Sequence, residues 1–293
     1  ATRCSDVGSG ITFDDHGSCV NAATFNITAI NFNGLVASAG VPVTGVAFTS
    51  AEIFDDAYTN TGVASVNVIY TVVPVSAGGC VGNAVSVTLT VSPEPVLSAT
   101  LDVTRCSDVA SGITLDDNGA SVNAATFNIT AINFNGLAAS AGAPSTGTGF
   151  TSAEIFDDAY TNTGAASVNV VYTVVPVSGA GCVGNAVSVT LTVSPEPVLS
   201  ATLSKTVCSD VGSGITLDDN GISVNAASFN ITAINFNGLV ASGGAPATGV
   251  AFGSAEIFDD AYTNTGAVAV NVIYTVVPVS AGGCLGNAVS VTL

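Results

Sequence analysis

The sequence predicts an all-β chain built of three tandem two-sheet β-sandwich domains in an elongated rod. Three observations predict it. Cys4, Cys106 and Cys208 stand 102 residues apart (106 − 4 and 208 − 106), as do Cys80, Cys182 and Cys284. Apolar residues come in short alternating runs rich in Val, Ile and Thr. Turn residues interrupt those runs at intervals of about 8–12 positions.

A period near 100 residues is too long for a solenoid repeat and fits whole domains, each able to bury a core. The repeats are read as 1–95, 96–197 and 198–293. In the middle copy the chain starts with the alternating Leu97 to Leu101 and continues through Ile113-Thr-Leu115 to the turn Asp116-Asp117-Asn118-Gly119. In Thr126 to Phe134, the residues Phe127, Ile129 and Ala131 share one face before Ile132 and Phe134 take over the phase. Such a one-residue slip predicts a β-bulge. Asn135-Gly136 is a turn pair, and a Gly/Ala/Ser/Pro-rich loop covers 138–149. The acidic stretch Glu154-Ile-Phe-Asp-Asp158 follows. Ser167 to Pro176 alternates with period two along its whole length, and Ala186 to Val193 is the last strand. About seven strands per repeat favour a sandwich of immunoglobulin-like type. The chain has no Trp, so the Cys–Trp–Cys pattern of antibody domains is missing.

Domains meet at Ser92-Pro93-Glu94-Pro95 and Ser194-Pro195-Glu196-Pro197. Alternating prolines favour an extended polyproline II path, so these linkers are expected to be stiff. Leu293 aligns with Leu191 and Leu89, which lie inside the last strand of their repeats. The sequence is therefore expected to be a window on a longer array.

Charged residues make up only 8% of the chain, with 21 acids against three basic residues, for a net charge of −18. That balance excludes nucleic acid, whose phosphates need Lys and Arg, and a polybasic membrane contact. No apolar run approaches the roughly 20 residues of a spanning helix. Lys–Asn isopeptide clips need a lysine in each domain, and Lys205 is the only lysine. His16 is the only histidine, so a His-dependent triad could exist once at most.

Six cysteines fall into equivalent pairs, Cys4 with Cys80, Cys106 with Cys182 and Cys208 with Cys284. One disulfide per domain is expected, with reduced, buried thiols as the alternative. Each bridge would close a loop of about 77 residues and restrict the unfolded chain by roughly 4–5 kcal/mol in the chain-entropy model. Disulfides imply an oxidising compartment. Cys19 has Ser121 and Ser223 as its counterparts and is expected to be a free thiol, three residues from His16.

Two acidic sets recur. One is Asp14-Asp15, Asp116-Asp117 and Asp218-Asp219; the other is Glu52/Asp55/Asp56, Glu154/Asp157/Asp158 and Glu256/Asp259/Asp260. Clustered loop carboxylates are the hard oxygen ligands that calcium takes, and they are equally the acceptors that turns use. No cofactor is required, and calcium is the one ion these acids would suit. Asn26, Asn128 and Asn230 each open an Asn-Ile-Thr glycosylation sequon, but inside a predicted strand, where an outward polar position explains them.

The run Val207-Cys208-Ser209-Asp210, the segment Asp260 to Thr265, the strand Val272 to Pro278, Gly283-Cys284-Leu-Gly286 and the ending Val193-Ser-Pro-Glu-Pro197 resemble the PKD-like repeats of giant Bacteroidota surface proteins. The resemblance covers all three copies and extends to the SprB-type gliding adhesins exported by the type 9 secretion system. It implies a long adhesive filament on the surface of a Gram-negative cell, touching a substratum, a polysaccharide, a neighbouring cell or further copies of itself. It brings no catalytic residues, and the chain is expected not to be an enzyme. A carbohydrate- or surface-binding module, and a spacer in a secreted enzyme, are the alternative readings.

Overall fold

A computed structural model describes residues 1–15, 17 and 20–293. His16, Ser18 and Cys19, with the expectation placed on the Cys19 thiol, lie outside the described residues. Among the described residues every regular element is a β-strand. Among the described residues no helix is long and apolar enough to cross a membrane.

In the first repeat the strands are β1 (Thr2–Cys4), β2 (Ala22–Asn31), β3 (Val36–Ala39), β4 (Gly45–Phe48), β5 (Ala57–Thr59), β6 (Val66–Ser76) and β7 (Val85–Ser92). The second repeats them as β8 (Val103–Cys106), β9 (Ala124–Asn133), β10 (Ala138–Ala141), β11 (Gly147–Phe150), β12 (Ala159–Thr161), β13 (Val168–Ser178) and β14 (Val187–Ser194). The third has β15 (Ala226–Asn235), β16 (Val240–Gly243), β17 (Gly249–Phe252), β18 (Ala261–Thr263), β19 (Ile273–Ser280) and β20 (Val289–Thr292).

One layer of the first repeat is a five-stranded sheet in the order β1-β7-β6-β2-β4; the other carries the short pair β3-β5. β1 runs parallel to β7, and the other pairings are antiparallel. The second repeat has the same topology, and the third keeps the four strands β17-β15-β19-β20. In β13 Val170, Tyr172 and Val174 are all buried, as period-two alternation requires. They pack on Phe127, Ile129, Leu191 and Val193 in one core per repeat.

The expected bulge is present. Thr173 pairs with Ala131 and Val174 with Ile129, so Thr130 is the extra residue. Asn135 and Gly136 both adopt positive φ, at 47° and 88°, and Leu137 N–H closes the turn on Phe134 C=O at 3.0 Å. This turn carries the chain from the sheet into the second layer. The segments Leu97 to Leu101 and Ile113 to Leu115, expected as strands, are instead extended chain: Leu97 makes a single antiparallel bridge to Asp117.

The cysteine pairing differs from the expectation. Cys4 is bonded to Cys182 and Cys106 to Cys284, so each disulfide joins a repeat to the next. Cys80 and Cys208 are free and exposed. The reason lies in the sheet. Parallel pairing sets Cys4 opposite Ser92, at the finishing end of β7. Cys80 sits in the β6–β7 hairpin, at the starting end of the same strand. Eight residues at about 3.3 Å each put roughly 25 Å between the two ends, whereas a disulfide needs Cα atoms within about 7 Å. The hairpin of the next repeat lies beside Cys4 instead, and the Cα–Cα separation there is 5.3 Å.

Candidate functional site

The conserved geometry of the two junctions makes the inter-repeat seam the candidate site. It begins with the linker. Pro93, Glu94, Pro95 and Leu97 are all buried, so the linker is not a solvated spacer. Upstream, Glu94 N–H donates to Asn60 C=O at 2.9 Å. Asn60 is itself fixed, because its side chain donates to Val91 C=O at 2.9 Å and its N–H donates to Ser5 Oγ at 2.8 Å. Downstream, Val96 N–H donates to Ser121 Oγ, Ser98 N–H to Asp116 C=O and Asn118 N–H to Val96 C=O. Leu97 then enters the core of the second repeat. The chain therefore has no slack between repeats.

Gly184 explains how the linker fits so closely. A Cβ there would collide with the carbonyl oxygen of Pro95, and one at Gly286 would collide with that of Pro197. A further backbone bond, from Val122 N–H to Gly62 C=O at 2.9 Å, spans the first seam, and Val224 N–H to Gly164 C=O repeats it at the second. The disulfides Cys4–Cys182 and Cys106–Cys284 lock the same seams covalently.

Each seam holds a buried acid. Glu94 faces Asp6, Ser5 and the side-chain amide of Asn185, which donates to it at 3.4 Å. Burial first, and then the Asp6 charge, push its carboxyl up from 4.5 to about 7. Burial acts to raise Asp6 too, yet hydrogen bonds from Ser38, Thr59, Glu94 and Ser5 outweigh it and hold that group below its usual range. Glu196 is raised in the same way, by burial and by Asp108. The sign of the linkage follows. The folded chain keeps the Glu94 proton up to about pH 7, whereas the unfolded chain releases it near 4.5. Between these values the folded state binds more protons, so stability is full below the lower value and falls as pH rises through the window. The denaturation midpoint should therefore be higher at pH 5 than at pH 8. Glu94→Gln with Glu196→Gln should flatten the part of that dependence above pH 6; an unchanged slope would contradict the assignment.

The acidic sets of the sequence are dispersed rather than gathered. Asp116 Oδ1 accepts from Asp117 N–H at 2.9 Å, and Asp117 accepts from Gly119 N–H and Ala124 N–H, each at 3.0 Å. Asp14, Asp15, Asp218 and Asp219 do the same in their repeats. In the second set, Asp56, Asp158 and Asp260 are buried, Glu52, Glu154 and Glu256 are half-buried, and Asp55, Asp157 and Asp259 face solvent. Asp158 accepts from Tyr172 OH at 2.7 Å, and Tyr172 is 2.6 Å from Tyr160 OH. Burial, opposed by the Tyr172 hydrogen bond and reinforced by Asp157 and Glu154, raises Asp158 to about 6. Burial also pushes the Tyr172 hydroxyl far up and Tyr160 up to about 12. Gly142 closes over Asp158 at φ +70°, where any side chain would meet the carboxylate. Among the described residues no group of three acidic, His or Cys side chains is placed to hold a metal ion.

The sequon asparagines are likewise engaged. Asn128 Oδ1 accepts from Gly149 N–H at 2.9 Å, which holds β11 against β9. The sequence alone did not single out Glu94 and Asn60, nor Glu196 and Asn162, which make the same contact at the second seam, Glu196 N–H donating to Asn162 C=O at 2.9 Å. The available signal was a charged residue between two prolines in an otherwise apolar linker.

A family model described as a PKD-like domain matches the chain three times, at residues 14–95, 107–197 and 205–293. No curated protein matches it in sequence. Among solved structures it is similar to protocadherin gammaB7 EC3-6, at 12% identity over 99% of this chain and 73% of that one, with a TM-score of 0.27. It is also similar to the chicken CNTN1 FN1-FN3 domains, at 10% identity over 96% and 90%, TM-score 0.27. Drosophila N-cadherin EC1-3 gives 11% identity over 100% and 95%, TM-score 0.23. At these scores the likenesses carry no argument about function.

Proposed function

The chain belongs to the PKD-like domain family, and from that premise we propose that it is a load-bearing segment of an extracellular structural or adhesive stalk. The observation that carries this reading is the pair of disulfides that cross from one repeat to the next. A bridge within a domain would brace that domain alone. A bridge across the seam lets tension pass from repeat to repeat through covalent bonds and leaves most of the chain outside the load path. The buried linker serves the same end, since a junction without slack transmits force and direction together.

Disulfides of this kind persist in oxidising surroundings, which supports a secreted or cell-surface location. The acidic surface supplies solubility and mutual repulsion between chains. In this reading the chain is not itself catalytic, and its partners are a substratum, a polysaccharide or a neighbouring cell surface. Weak contact per repeat would gain from multivalency. The finer assignment, to a gliding-type adhesin exported by the type 9 route, rests on the resemblance of the Cys, Tyr-Thr-Val-Val-Pro and Ser-Pro-Glu-Pro segments alone. The test is to stretch single molecules by their two ends with and without reductant. A stalk of this design resists extension when oxidised and yields when reduced; equal extension under both conditions would end the proposal.

A further inference from the structure

We infer that the outer face of the large sheet is a self-association surface, through which two copies of this chain pack sheet against sheet. The first observation is the placement of charge. Among the described residues none of the 21 acids lies in a strand; all stand in loops, turns and linkers. In β13 the core takes Val170, Tyr172 and Val174, so alternation turns Val171, Thr173, Val175 and Val177 outward. Thr190 and Ser188 of β14 pair with Val171 and Thr173 and extend that face. Ile69, Thr71, Val73 and Val75 form the same row in the first repeat, and Ile273, Thr275, Val277 and Val279 in the third. Arg105 is the one charged residue in the strands of the second repeat. It pairs with core-facing Val193 and reaches over Gly112, away from this face.

Charge decides the partner. Two copies carrying −18 each repel wherever their loops meet. On an uncharged, β-branched face they touch without burying an unpaired carboxylate. The area agrees. With strands ~4.8 Å apart and a rise of ~3.3 Å per residue, the five strands β11-β9-β13-β14-β8 present roughly 600 Å². Two such faces bury about 1,200 Å², the lower bound for a specific interface. Strand addition at the sheet edge is blocked instead. Ala47, Gly149 and Ala251 adopt positive φ, at 62°, 76° and 60°, in the edge strands β4, β11 and β17, and the register shifts there. An edge bent in this way resists a further strand. The neutral face lies inside each repeat and recurs in all three.

The inference stands on this geometry and does not require the load-bearing role. Sedimentation velocity of the oxidised chain tests it, with Cys80 and Cys208 alkylated so that no new disulfide forms. A concentration series at physiological salt should show a reversible monomer–dimer equilibrium. Ser86→Glu, Ser188→Glu and Ser290→Glu together put a charge on the face of every repeat, each at an exposed position. They should weaken association by about tenfold or more, because a two-fold contact sets like charges against each other. Val36→Glu, Ala138→Glu and Val240→Glu add the same charge at exposed positions of the second layer and should leave most of the association in place. Circular dichroism should show the fold intact in both triple variants. A chain that stays monomeric throughout the series would overturn the inference. So would equal weakening by the two variants, which would mean that net charge alone, and not this face, governs association.

Discussion

Stretched by its ends, the oxidised chain should stop at about 310 Å, and the reduced chain should reach roughly 1,000 Å at ~3.5 Å per residue. The ceiling follows from the covalent map. The shortest bonded route runs three residues from Ala1 to Cys4, crosses to Cys182, returns 76 residues to Cys106, crosses to Cys284 and ends nine residues later at Leu293. That is 88 peptide steps against the 292 of the open chain. A single released repeat of 102 residues would add about 360 Å, more than the oxidised molecule can span in total. No whole-repeat step should therefore occur without reductant. After reduction, repeats should release one by one. Pairing inside each repeat would give a different pattern, since the Ser-Pro-Glu-Pro linkers and chain ends would then carry the load in series.

Leu199→Ala should destabilise the third repeat by about 2–5 kcal/mol, the range for truncating a buried leucine. Leu97→Ala should do the same to the second. Each leucine arrives from a linker yet belongs to the core of the repeat that follows, beside Leu217 and Phe229 in one case and Leu115 and Phe127 in the other. The effect is therefore directional. In Leu199→Ala, hydrogen exchange should quicken in β15 and β19 while β2 and β6 keep their protection. In Leu97→Ala it should quicken in β9 and β13 first. Loss of protection spread evenly over all three repeats, or none at all, would contradict the assignment of these leucines to downstream cores.

Much of the fold was legible because it rests on local rules. β13 was readable from Ser167 to Pro176 through alternation alone, the bulge at Thr130 through the change of phase, and the turn at Asn135-Gly136 through residues that tolerate positive φ. The disulfide partners were not legible, for a definite reason. Cys4 with Cys80 and Cys4 with Cys182 both obey the 102-residue period, so spacing cannot choose between them. The choice is made by the parallel pairing of β1 with β7, which carries Cys4 to the far end of the sandwich. That pairing is a long-range contact with no mark in the three residues of β1. The linker misled for a related reason. Ser92-Pro-Glu-Pro-Val96 is extended, as two prolines suggest, but its burial depends on Gly184 leaving room in the next repeat. The acidic pairs were found in sequence, while their use as turn acceptors and as partners of Tyr172 depended on where the chain returned.

Whether the seams are covalently closed decides the account, and non-reducing digestion at aspartate, read by mass spectrometry, asks that most directly. Residues 1–5 should travel with 158–209, and 102–107 with 260–293, while 56–101 should carry an unpaired thiol at Cys80. Finding 1–5 joined to 56–101, and 102–107 joined to 158–209, would show bridges that close each repeat upon itself and leave the seams unsecured.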